Sequence, residues 1–184
     1  HVTDQVQRIN RAAALLANGP INARQTYEVR VVADAFRQRP LLTPAGHAAI
    51  DEFRVAGHAR LRAQAEAGAD LLQVFDSWVG ALSPADYRRY VKPHMERLFQ
   101  SLRPAGVPVI HFGVGTMGLL EDMKEAGGDV LGLDHHTPLP WARALLGATP
   151  VQGNLDPAVL LAPKGVIRRE VQRILKENGG KSGH

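Results

Sequence analysis

The chain has 184 residues, 45% of them hydrophobic and 22% charged, which is enough for one sizeable core and too few for two ordinary domains. It contains no cysteine, which excludes disulfides, thiolate metal ligands and cysteine nucleophiles and fits a cytoplasmic protein. The net charge of +4 comes with arginines scattered along the chain, without a compact basic run, so the balance suits a polyanionic small ligand rather than nucleic acid.

No apolar run is long enough to cross a membrane, and no basic-then-apolar leader opens the sequence. The first predicted element is a helix from about Val2 to Leu16, with Val6, Ile9 and Leu16 inward. The stretch around Val29, Val31 and Val32 reads equally as strand or helix. Thr43-Pro44 then caps a helix that carries Ile50, Phe53 and Leu61 and stops at Gly68. A buried-strand run, Leu71–Phe75, follows and ends abruptly in Asp76-Ser77-Trp78. Ser83-Pro84 opens the next helix, with Asp86 placed as in a capping box and Tyr87, Val91, Met95, Leu98 and Leu102 at helical spacing. Two further apolar runs, Val107–Phe112 and Val130–Leu133, and a weaker one at Thr149–Gln152 are predicted strands. Thr137-Pro138 and Asp156-Pro157 are further caps. The last helix is expected to run unbroken from about Pro157 to Asn178, its apolar stripe being Val159, Leu160, Val166, Ile167, Val171, Ile174 and Leu175.

Strands alternating with helices imply an α/β fold with a parallel sheet and right-handed crossovers. Each run ends in polar or glycine-rich residues, and four such tips on one face favour a barrel. A full eightfold barrel needs about 200 residues or more, so the expectation is a partial (β/α)8 TIM barrel forming one domain over residues 1–184.

Several motifs compete for function. Asp76 and Ser77 sit at a strand tip; Ser77 is either a turn hydroxyl bonding its own backbone or a hydroxyl aimed at a ligand carboxylate. No glycine-flanked elbow surrounds Ser77, which argues against a triad nucleophile. Gly113-Val114-Gly115-Thr116-Met117-Gly118 follows a strand and opens a helix, with Asp134 after the next strand. That arrangement makes a dinucleotide-binding oxidoreductase the alternative reading, with pyrophosphate on the helix amides and a ribose hydroxyl on Asp134. Asp134, His135, His136 and His111 offer oxygen and imidazole ligands, but no His-x-His pair or carboxylate cluster accompanies them. His135 and His136 point to opposite sides if the strand persists through them. Gly180-Lys181-Ser182 lacks the earlier glycine of a phosphate loop, since Leu175 stands there.

Four segments taken together resemble the uroporphyrinogen decarboxylase family: AGADLLQVFDSWVGALSPADYRRYVKP, VPVIHFGVGTMGLL, AGGDVLGLD and VQGNLDPAVLLAP, in the family's order and approximate spacing. The resemblance covers about residues 46–184; residues 1–20 resemble a family helix, and residues 21–45 diverge. It implies a (β/α)8 barrel, usually a cytoplasmic homodimer, with no metal or organic cofactor and no membrane or nucleic-acid partner. The implied reaction converts the four acetate side chains of uroporphyrinogen III to methyls, giving coproporphyrinogen III in porphyrin and haem biosynthesis. Ser77 matches the family's substrate-contacting serine. Tyr27 lies about the right distance before it to match the substrate-contacting tyrosine, though without the usual glycine-rich and Phe-Thr-Leu context. The catalytic aspartate with its arginine-rich motif is expected upstream of this chain and the family's histidine loop downstream, so the piece alone is expected to be inactive. The usual tryptophan after Asp134 is His135 here. A corrinoid or methyl-transferring relative on the same barrel would commonly need a zinc–thiolate site, which the lack of cysteine opposes. A non-enzymatic interaction module would expose raw sheet edges and tend to aggregate.

Overall fold

The computed structural model describes residues 57–180 and 184. The predicted helix Val2–Leu16, the segment around Val29–Val32, the Thr43-Pro44 cap and Tyr27 all lie outside those residues. The described part opens with helical residues 57–66 (α1), which end at Gly68, where φ is +94° and a side chain would be strained.

Four strands follow: β1 (Leu72–Asp76), β2 (Val109–Gly113), β3 (Val130–Leu133) and β4 (Val151–Gly153). They lie side by side in chain order and every pair is parallel. The helices between them are α2 (Lys92–Leu102), α3 (Leu120–Ala126) and α4 (Leu139–Leu146), with α5 (Lys164–Glu177) after β4. This is the α/β alternation expected from the sequence, with β3 at its predicted limits and the other strands shifted by one or two residues.

Alternation along each strand gives the sheet two unlike faces. Leu72, Val109, Leu131, Leu133 and Val151 are buried among the helices. In-register Gln73, Phe75, Phe112, Gly132 and Gln152 occupy the opposite face, where Phe75 stays half exposed. Gly132 is required there, because a Cβ would stand 2.7 Å from Phe112 Cδ2 and 3.1 Å from its Cα. The Phe112 ring therefore lies across the β3 backbone.

The helix before β2 is irregular for a reason. Ser83 Oγ accepts the Asp86 N–H at 3.1 Å and donates to its carboxylate at 2.8 Å, so the predicted cap forms. A π-helical segment at Tyr87–Val91 then precedes Pro93, which has no N–H for a regular helical bond. Tyr87, Val91, Leu98 and Leu102 are buried as the spacing predicts, with Met95 partly so. Lys92 bridges Asp122 and Glu125, and Arg88 reaches Asp122 at 2.9 Å, tying this region to α3.

Two expectations are corrected. The helix predicted over 157–178 is broken into a 3-10 turn, Pro157–Leu161, and α5. Ala162 is extended because it precedes Pro163, and a residue before proline is driven out of the helical region. Asp156 does cap the first piece, accepting the Ala158 N–H at 2.8 Å. Of the apolar stripe only Ile174 is buried; Leu160 on the 3-10 turn and Val171 and Leu175 on α5, which follows β4, the edge strand of the described sheet, are exposed. Thr137 does not cap α4: Pro138 occupies the N-cap, and the Thr137 hydroxyl is used elsewhere.

Among the described residues, no helix is long and apolar enough to cross a membrane. Gly132→Ala is expected to cost about 2 kcal/mol, since the Phe112 backbone cannot give way as a flexible side chain would. A fall in urea midpoint at unchanged m-value would show it. An unchanged midpoint would mean the ring is not packed over β3 as described.

Candidate functional site

The tips of β2, β3 and β4 are joined by a single hydrogen-bonded chain, and the β1 end packs against it. Asp134, just beyond β3 and 5% exposed, accepts the Gly115 N–H on Oδ2 at 2.7 Å and the Thr137 hydroxyl on Oδ1 at 2.8 Å. Asn154, just beyond β4, donates from Nδ2 to the carbonyls of Asp134 at 2.8 Å and Thr137 at 2.6 Å. Its φ of +88° is unusual for a side-chain-bearing residue, and asparagine is among the few that tolerate it. At the β1 end, the turn Val79–Ala81 lies flush on the β2 loop. A Cβ on Gly80 would come within 2.1 Å of the Val114 carbonyl oxygen.

These contacts overturn the nucleotide alternative built on Gly113–Gly118. The Gly115 amide that would face a pyrophosphate is given to Asp134, and both Asp134 oxygens that would face a ribose are occupied. Gly115, at φ +69°, makes the turn and serves close packing. The proposed metal ligands also separate. His111 is wholly buried within β2 on the helix side, with Nδ1 3.3 Å from the Gly127 carbonyl, and it is not at a tip. His135 and His136 do not diverge: β3 ends at Leu133, and their rings stack at 3.9 Å in an exposed turn. Among the described residues no group of three or more histidine or carboxylate side chains could hold a metal.

Ser77 begins the turn after β1 and is half-buried. Among the described residues its hydroxyl makes no hydrogen bond, so the turn-bonding role is not the one seen. Below it on the open face, Phe75 meets Phe112 edge to face, with centroids 5.8 Å apart and planes at 71°. Gln73 and Gln152 flank this pair along the register. With Ile110 and Val130 on the same side, the open face is apolar and amide-bearing, with a hydroxyl at its rim. Asp76 takes the other direction, toward the helix layer: its Oδ2 is 4.0 Å from His111 Nε2. Tyr87, not singled out from the sequence except as core, lies there too. Its hydroxyl pKa is driven far up, first by burial and then by the charges of Asp76, Asp122 and Glu96. Only its place on an apolar helical stripe is visible in the sequence; the charges around it are not.

Comparison with known proteins bears on what this face does. A family model described as "Uroporphyrinogen decarboxylase (URO-D)" matches residues 43–184. A protein named uroporphyrinogen decarboxylase from one strain of Thermus thermophilus is 91% identical over 138 residues, covering 75% of this chain and 40% of that protein. Its namesake from a second strain of the same species matches to the same extent. Another of that name, from Geotalea daltonii, is 55% identical over 124 residues, 67% of this chain and 37% of the relative. The chain thus spans about two fifths of the length of these curated relatives.

Asp134→Ala would strip a buried N–H and a buried hydroxyl of their acceptor and is expected to cost about 3 kcal/mol. Amide exchange at Gly115 should accelerate with it, before the rest of β2 opens. If Gly115 keeps its protection, Asp134 is not what holds the loop.

Proposed function

The chain belongs to the uroporphyrinogen decarboxylase family, and from that membership we propose that it supplies one wall of a pocket for uroporphyrinogen III. The reaction served there is loss of carbon dioxide from the four acetate side chains, giving coproporphyrinogen III. The observation that carries the reading is the pairing on one face of the Phe75–Phe112 aromatic step with the uncommitted Ser77 hydroxyl.

A porphyrinogen presents flat, electron-rich pyrroles and a rim of carboxylates. Edge-to-face aromatics suit the former, and hydroxyl and amide donors suit the latter. Ser77 is assigned to a substrate carboxylate, with Tyr27 as a second hydroxyl for the same substrate. The cation formed when a pyrrole carbon is protonated needs a negative charge held in place, as electrostatic preorganisation requires. Neither strand-tip carboxylate is free for that: Asp76 faces the helices, and Asp134 is spent on Gly115 and Thr137. The family resemblance assigns the acid to residues outside this chain, and the working enzyme to a cytoplasmic homodimer of complete barrels.

Two outcomes test this. In the protein at its full natural length, Ser77→Ala should raise KM for uroporphyrinogen III by about tenfold or more, the worth of one hydrogen bond to a charged group. An unchanged kcat/KM would remove Ser77 from the pocket. The 184-residue chain alone should form no coproporphyrinogen, and detectable product would overturn the assignment of the acid.

A further inference from the structure

Every helix-facing position along β1 and β2 is apolar except two, Asp76 and His111. Among the described residues, three buried side-chain polar atoms lack a hydrogen-bond partner: Asp76 Oδ2, His111 Nε2 and the Tyr87 hydroxyl. Such atoms are rare in native proteins, and each costs about 1–3 kcal/mol if left unpaired. Two of them face each other, and the third is buried in the same helix-side layer. Asp76 Oδ2 stands 4.0 Å from His111 Nε2, and Asp76 is the foremost charge acting on the Tyr87 hydroxyl.

Counting donors and acceptors narrows what joins them. The Gly127 carbonyl can only accept, so His111 Nδ1, 3.3 Å away, carries its hydrogen toward it. That carbonyl is held firmly: Gly127 has φ +127° and lies so close beneath Phe99 that a Cβ would be 2.8 Å from the Phe99 Cβ. In the neutral ring, Nε2 is then an acceptor, and it faces a carboxylate oxygen, also an acceptor. Burial and the nearby acids keep the Tyr87 phenol protonated, so it offers one hydrogen. Two acceptors and one donor are completed by a group that gives two hydrogens and takes one. Water does this, and two hydrogen bonds of about 2.8 Å span a 4.0 Å gap at about a right angle.

We propose that Asp76, His111 and Tyr87 enclose one ordered water, which donates to Asp76 Oδ2 and His111 Nε2 and accepts from the Tyr87 hydroxyl, and that this cluster fixes the β1 tip from which Ser77 projects. His111 and Tyr87 are thus positioning residues that act through Asp76. Lys92 and Arg88, close to Tyr87 along the chain, are engaged by Asp122 and Glu125. The positioning half of the inference rests on Ser77 being a substrate contact.

The test reads the cluster first and its effect second, in the protein at its full natural length. Ring 15N spectra of His111 should show Nδ1 protonated and Nε2 bare. Tyr87→Phe, which removes one oxygen and keeps the fold, should move the Nε2 resonance and leave Nδ1 in place. A doubly protonated ring would replace the water by a direct ion pair and overturn the cluster, as would an Nε2 resonance indifferent to Tyr87→Phe. His111→Leu should then raise KM for uroporphyrinogen III about fivefold with kcat little changed, His111→Gln should restore most of it, and the penalty should vanish in a Ser77→Ala background. A penalty that persists without Ser77 overturns the positioning role. Should Ser77→Ala alone leave KM unchanged, the serine assignment has failed, and the ring spectra still decide the cluster.

Discussion

The carboxylate of Asp134 is the point on which the upper end of this sheet depends. Parallel strand pairing aligns β1 to β4 along their lengths but says nothing about the loops that leave their C-terminal ends. Those loops are where a barrel of this kind does its chemistry. Asp134 is buried, and a buried carboxylate is costly unless its oxygens are satisfied. Here the two donors come from different segments, the β2 loop and the approach to α4, so satisfying the charge also fixes the spacing of those segments. Asn154 adds the β4 tip and the flush contact of Gly80 adds β1. Geometry at the rim follows from local charge satisfaction, and does not require a large buried area.

The two faces of the sheet divide the chemistry cleanly. Both strand-tip carboxylates turn away from the open face: Asp76 points into the helix layer and Asp134 into the loop network. What remains on the open side among the described residues is aliphatic, aromatic, amide and hydroxyl, with Ile110 and Val130 beside the Phe75–Phe112 pair. A ligand rich in carboxylates meets no opposing charge on this wall, and unfavourable pairings in a low-dielectric pocket would otherwise cost several kcal/mol. The positive balance of the whole chain works in the same direction at longer range.

How much of this the sequence discloses depends on whether a force is local or directional. Periodicity and caps are local, so Val130–Leu133, the Ser83 cap and the Asp156 cap are where the residues place them. Proline at 163 is equally visible, yet a seven-residue apolar stripe masks its effect, and the steric veto on Ala162 wins. The fingerprint-like Gly113–Gly118 with Asp134 misleads for a deeper reason. Glycines that let a phosphate approach are the same glycines that let a backbone approach, and here the approaching group is Gly80. The destination of a hydrogen bond, as with Thr137 and Asp134, leaves no mark in composition or spacing. Ser77 is recognisable only because its segment resembles a family; nothing in an isolated Asp-Ser pair tells which of the two faces a ligand.

That distinction bears on why polar residues sit under β1 at all. Leu72, Val74, Val109, Leu131, Leu133 and Val151 show that an apolar residue is the ordinary solution at a helix-facing position. Replacing buried ionic groups by apolar ones of similar volume is often neutral or stabilising, so stability alone does not account for Asp76 and His111. Apolar packing is non-directional, and a strand end held by it can slide or tilt at little cost. Hydrogen bonds fix distance and angle, and those of the proposed water would act at the last residue before Ser77 and on the strand directly beside it. The polar pair is placed where direction matters more than burial, one residue behind the hydroxyl that the pocket would use.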